Sequence, residues 1–122
     1  MQVIVVEPKK KPMVQDIDSD LKSMQKIVGG SIQAIYPFDE PVALICNEEG
    51  KLLNLPLNRA LRDEEGNVYD IISGTFFLCD APPDSDRFAG LTDQQVKTFI
   101  ERFDMPEMFL NMGGDLFALP YL

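Results

Sequence analysis

Residues 18–30 read DSDLKSMQKIVGG. Leu21, Met24, Ile27 and Val28 fall three or four positions apart, on one stripe of a 3.6-residue period. Asp18 or Ser19 stands where a side chain accepts from the first orphan amides of a helix. Asp20 adds negative charge at the positive end of the helix dipole. Gly29 and Gly30 supply a left-handed exit. The segment predicts a helix from about Leu21 to Val28. Its neighbours have period two or are continuously apolar, and that contrast decides the fold class.

Upstream, Val3 to Val6 is an unbroken β-branched run, suited to a strand covered on both faces. Pro8 to Pro12 forms a polar turn, and MVQDI at 13–17 resumes the alternation, so residues 2–17 predict a hairpin. Downstream, SIQAIYPF, broken by Pro37, and PVALIC predict two strands. NEEGK at 47–51 is a turn, after which LLNL at 52–55 is expected to return as a partner strand. RDEEGN at 62–67 repeats the turn chemistry. VYDIISGTFFL then makes one or two strands, with Gly74 at a bulge or bend. Alternating β-α-β units are too few for a doubly wound sheet. The expected fold class is therefore α+β: a small, mostly antiparallel sheet of five or six strands, with one helix packed on it and a C-terminal helix.

The C-terminal helix is expected from about Asp93 to Phe103. Thr92 with Gln95 forms a capping box, and Leu91 with Val96 is placed for a hydrophobic staple. Val96, Phe99, Ile100 and Phe103 make its apolar face, and Met105-Pro106 ends it. DAPPDSDRFAG, just before, cannot build a core and reads as a linker. The expected organisation is a core over 1–80, a linker over 81–90, and a helix with an apolar tail over 91–122 on the same domain. The tail, EMFLNMGGDLFALPYL, is unusually apolar for a terminus. Met108, Phe109, Leu110, Leu116, Phe117, Leu119 and Tyr121 are its candidate interface residues, covering the domain itself or a second copy in a homo-oligomer.

A chain of 122 residues suits one domain, and 45% hydrophobic with 25% charged residues is ordinary globular usage. No apolar run approaches the ~20 residues of a membrane helix. The start reads as a strand and not as a signal peptide. A cytoplasmic protein without membrane contact is expected. Cys46 and Cys79 lie in apolar runs and read as small buried hydrophobes. With no histidine in the chain, the common Ser-His and Cys-His nucleophiles and most catalytic zinc sites fall away. Net charge is −9, and the only basic run is Lys9-Lys10-Lys11, so nonspecific nucleic-acid binding is disfavoured, and the acidic surface either faces a basic partner or simply keeps the protein soluble. Asp16-Ile17-Asp18-Ser19-Asp20 opens like a calcium loop. The sixth position is Leu21 where glycine is needed, and the twelfth is Ile27 where a bidentate Glu is needed. No phosphate-loop pattern occurs. Neither metal nor cofactor is expected.

LPLNRALR at 55–62 stands between two turns and resembles neither a clean strand nor a clean helix. It reads as a platform loop between hairpins. Asn54, Asn58, Arg59 and Arg62 are the candidate ligand- or partner-binding residues, because arginine's planar fork suits carboxylate and phosphate. The competing reading pairs Arg59 and Arg62 with Asp63, Glu64 or Glu65.

The succession VIVVEPKKKP, LKSMQKIVGGSIQAIYPF, VALICNEEGKLLNLPLNRAL, YDIISGTFFL resembles a family of small proteins of unknown function. That family occurs in phages, plasmids and integrated elements of Gram-positive gut bacteria, and the similarity covers about residues 2 to 80. The resemblance implies cargo of a mobile element and carries over no catalytic residues. The expected function is a noncatalytic binding protein that occupies a protein of the host or of the element. A binder of a small anionic ligand, such as a nucleotide signal, is the second expectation. A carboxylate- or metal-dependent enzyme is the third.

Overall fold

The period-two segments become strands. The computed structural model describes residues 1–121. Its elements are β1 (Gln2–Val6), β2 (Met13–Asp16), α1 (Leu21–Val28), β3 (Ile32–Ile35), β4 (Val42–Asn47), β5 (Leu57–Arg62), β6 (Val68–Ser73), β7 (Phe76–Asp80), α2 (Asp93–Arg102), β8 (Glu107–Met112) and β9 (Asp115–Pro120). Five strands form one sheet in the order β2-β1-β7-β4-β3, with every neighbouring pair antiparallel. β5–β6 and β8–β9 are separate antiparallel hairpins. The fold is α+β, as the residue pattern predicts.

The sheet is built in rows. Ile4, Leu78, Leu44 and Ile35 are successive cross-strand partners, and so are Val5, Phe77, Ile45 and Ala34. Successive residues face opposite sides, so each row belongs to one face. α1 covers the second row's face with Met24 and Val28, which meet Val3, Val5, Ala43, Ile45, Phe77 and Cys79. α2 and the β5–β6 hairpin cover the other face. There Leu91, Phe99, Phe103, Leu61 and Ile72 meet Ile4, Val6, Val42, Leu44, Phe76 and Leu78. With both faces covered, alternation vanishes from the central strands, which is why VIVV, VALIC and FFLC are continuously apolar. Edge-on rings tie the second layer together: Phe38 lies 4.8 Å from Phe99, and Phe76 lies 5.6 Å from Phe103.

α1 forms over the expected residues, but its cap is Asp20. The Asp20 carboxylate accepts from the Ser23 N–H at 2.7 Å, so neither Asp18 nor Ser19 serves. Gly29 takes φ 78° as the left-handed exit. α2 has the full Thr92–Gln95 capping box. Gly74, at φ 82°, turns the chain from β6 into β7, and a Cβ there would lie 2.7 Å from Leu55 Cδ1. The residues expected to link the two parts are tied down: Asp80 pairs with Ala89, and the Leu91 N–H donates to the Gln2 carbonyl at 2.8 Å.

Two expectations fail between residues 52 and 62. LLNL is not a strand. The chain coils there, with Leu53 N–H donating to the Glu49 carbonyl and Leu55 N–H to the Gly50 carbonyl, and Leu52 points outward. LPLNRALR is not a platform loop either. Residues 57–62 are strand β5, and Asn58 to Leu61 are buried. Period two is absent because both sides of β5 are covered and its polar side chains meet partners remote in sequence. Among the described residues no helix is long and apolar enough to cross a membrane.

Phe77 is fully buried at the centre of the sheet, whereas Leu52 is 84% exposed. Phe77→Ala is expected to lower unfolding free energy by about 3–5 kcal/mol and Leu52→Ala to change it by less than about 0.5 kcal/mol, read from urea midpoints at constant slope.

Candidate functional site

The site starts from β5. Asn58 and Arg59 follow one another on a strand covered on both sides, so their polar atoms need internal partners. Asn58 Nδ2 donates to the Val6 carbonyl and to the Gly74 carbonyl, each at 2.8 Å. Arg59 is 1% exposed. Its Nη1 donates to Asn58 Oδ1 at 3.0 Å, its Nη2 to the Lys10 carbonyl at 2.7 Å, and its Nε and Nη2 to the Phe103 carbonyl at 3.4 and 3.2 Å. Phe103 is the C-cap of α2, so the guanidinium sits at the negative end of that helix dipole. Burial pulls the Arg59 pKa down, and the charges of Glu107 and Asp104 oppose that shift.

One residue beyond Arg59, the Ala60 N–H donates to Glu107 Oε1 at 3.3 Å. Arg62 Nη2 lies 3.0 Å from Glu107 Oε2. Glu107 thus takes the place of a neighbouring strand for β5, and it anchors the start of β8 there. Across the gap, Arg102 on α2 holds Glu40 in a two-pronged pair at 3.2 and 2.7 Å, and its guanidinium stacks 4.5 Å from the Phe99 ring centre. The hydrogen bonds from Arg102 hold the Glu40 carboxyl below its usual range.

Between these pairs lies a cleft of about 950 Å³. Arg59, Arg62, Arg102, Phe38, Phe103 and Tyr69 line it, together with Asp39, Glu40, Asp63, Glu64, Glu65 and Glu107. Three of these six carboxylates, Asp63, Glu64 and Glu65, come from the turn between β5 and β6. None of the three, nor Asp39, has an ion-pair partner among the described residues.

The sequence-derived candidates separate on this frame. Arg59 and Arg62 both reach the cleft, but neither pairs with Asp63, Glu64 or Glu65; carbonyls answer the first and Glu107 the second. Asn58 is wholly buried as a strut. Asn54 is exposed in the preceding turn at φ 53° and does not line the cleft. Met108, Phe109, Leu110, Leu116, Phe117 and Leu119 come together on the β8–β9 hairpin, with Tyr121 just beyond it. Glu107, Arg102 and Glu40 were not singled out. Glu107 carried one signal: it is the charge that heads an apolar run, and a charge in such a place is often paired.

Cys46 and Cys79 are buried free thiols. Burial pushes the Cys46 thiol up and the Cys79 thiol up to about 12. Neither is poised as a nucleophile at neutral pH.

Arg59→Met removes the donors to the Phe103 and Lys10 carbonyls. It is expected to cost about 2–4 kcal/mol in urea unfolding, with Arg59→Lys recovering little because an ammonium cannot reproduce the planar fork. Arg87→Ala, on an exposed loop, serves as the comparison and should shift stability by less than about 0.5 kcal/mol. The thiols set a pH dependence. Folded Cys79 keeps a proton that the unfolded chain, with an ordinary value of 9.0, gives up earlier. Its contribution to stability is therefore complete below pH 9 and is lost as pH rises toward about 12. Urea midpoints at pH 7 and pH 10 should fall further apart for the native chain than for Cys79→Ala.

No curated protein and no solved structure matches the chain. A family model does, over residues 1–104, a span that takes in the five-stranded sheet, both helices, β5–β6 and all of the cleft except Met105 and Glu107. Its description is a domain of unknown function, DUF3846, and the chain belongs to that family.

Proposed function

We propose that the protein is a noncatalytic binding protein that acts by occupying a protein partner, and that its cleft takes a lysine- and arginine-bearing segment of that partner. The observation that carries this reading is the disposition of charge around the cleft. Arg59 is answered by carbonyls, Arg62 by Glu107 and Arg102 by Glu40. Among the described residues Asp39, Asp63, Glu64 and Glu65 have no ion-pair partner, and only Asp63 of the four is held by the chain, its Oδ1 accepting from the Glu65 and Asn67 N–H groups. The exposed Tyr69 ring beside them offers a face for a cation. A chain of net charge −9 draws cationic partners at range and disfavours anions.

The same distribution weakens the case for a small anionic ligand, since the donors of Arg59 are already spent on the chain. Buried thiols held protonated and the lack of any histidine favour holding over bond-breaking. The resemblance to mobile-element proteins favours a partner from the host or from the element, met in the cytoplasm.

Calorimetric titration with an oligolysine peptide and an oligoglutamate peptide tests the reading. Oligolysine should bind, and more weakly as salt rises. The triple variant Asp63→Lys, Glu64→Lys, Glu65→Lys should weaken it at least about 10-fold, or ~1.4 kcal/mol. Asp18→Lys, Asp84→Lys, Asp86→Lys, which changes net charge equally but away from the cleft, should weaken it far less. Equal losses in the two triple variants would sink the cleft as the site. A nucleotide that raises the melting temperature when the peptide does not would favour the anionic reading instead.

A further inference from the structure

We propose that the β8–β9 hairpin is a self-association surface, on which a second copy of this chain docks about a two-fold axis. The inference is independent of what the cleft holds. The hairpin closes through Gly113 and Gly114, at φ 62° and 91°, the conformation a tight hairpin turn requires. Its register pairs Met108 with Leu119 and Leu110 with Phe117. Paired residues, and residues two apart, share one side of a two-stranded ribbon. Glu107 is one position out of that set and lies on the opposite side, where it is buried against Arg62 and the Ala60 N–H. The Met108, Leu110, Phe117 and Leu119 side therefore faces away from the body. Leu110, Phe117 and Leu119 are 37%, 46% and 41% exposed, with Met112 at 61% near the tip. None of these residues belongs to either core cluster.

A two-stranded ribbon alone is marginal in water, so this apolar side needs cover. Charge decides what covers it. From Met105 to Tyr121 the only carboxylates are Glu107 and Asp115, and Glu107 is already paired with Arg62. Most of the −9 net charge lies elsewhere. A basic partner is drawn to the cleft rim and not to a nearly neutral ribbon. Two copies repel through their acidic surfaces and approach at least cost through this one. The same patch presented twice about a two-fold axis is self-complementary. The exposed apolar area is on the order of 400 Å² per copy, in the range of interaction patches. Doubled, it comes to about 800 Å², below the standard size of specific interfaces, so the dimer is weak and concentration-dependent and not obligate.

Sedimentation of the full chain tests this. Twice the chain mass is expected at about 100 μM, with dissociation toward about 1 μM. Leu110→Asp with Phe117→Asp should remain monomeric at the higher concentration while keeping the native circular dichroism. A native chain that stays monomeric at about 100 μM overturns the proposal. So does a folded double variant that still dimerises, or a monomer that floats with phosphatidylcholine vesicles, which would make the ribbon a lipid-facing element. If the double variant does not fold, hydrogen exchange of the native chain decides. Amide protection on β8 and β9 that rises with protein concentration supports the dimer, and protection independent of concentration overturns it.

Discussion

A guanidinium that is 1% exposed must be answered by the chain, or the strand that carries it cannot lie where it does. Removing a cation from water costs several kcal/mol even after relaxation. Arg59 meets that cost without a direct carboxylate contact, although the nearby charges of Glu107 and Asp104 favour its charged form. It uses the carbonyl that ends α2, the carbonyl of Lys10 in the β1–β2 turn and the amide oxygen of its neighbour Asn58. Asn58 in turn holds the Val6 and Gly74 carbonyls. These two residues join β5 to the end of β1, the β1–β2 turn, the β6–β7 bend and the end of α2. The second layer over the sheet is positioned through them.

The same answer shapes the surface. Because carbonyls satisfy Arg59, no rim carboxylate is drawn inward to neutralise it. Glu107 is spent on Arg62 and the Ala60 N–H, and Glu40 is spent on Arg102. Asp39, Asp63, Glu64 and Glu65 line the cleft with no ion-pair partner among the described residues. A site that contains three arginines is thereby acidic in what it offers a visitor. Counting arginines in the chain would assign it the opposite sign.

Cleft and hairpin meet at one residue. Glu107 closes the cleft wall and also begins β8. The family match ends at residue 104, and the hairpin begins at 107. Body and hairpin differ in physical character. The body is a three-layer arrangement whose central strands are dry on both faces, and the hairpin is a ribbon anchored at its base with an apolar side in solvent. The sheet's central strand, β7, pairs with β1 across most of the body, Ile4 with Leu78, so closing the core requires contacts remote in sequence.

Local patterns were enough for much of this. The stripe of Leu21, Met24, Ile27 and Val28, the capping box at Thr92, the continuous runs of β1, β4 and β7 and the bend at Gly74 are set by residues within a turn or two of one another. Propensity, capping and periodicity act at that range, so both helices, the central strands and the α+β class were legible. The cap at Asp20 in place of Asp18 or Ser19 is a small miss of the same local kind. LPLNRALR misled for a different reason. Its burial depends on Val6, Lys10, Phe103 and Glu107, which lie 44 to 52 residues away or, for Glu107, 45 to 47. A polar residue in a strand looks like a surface residue until the groups that desolvate and satisfy it are in place. The sequence by itself determined the elements and the overall acidity of this protein. Only the tertiary structure decided which charges are cancelled, because cancellation depends on distance in space and not along the chain.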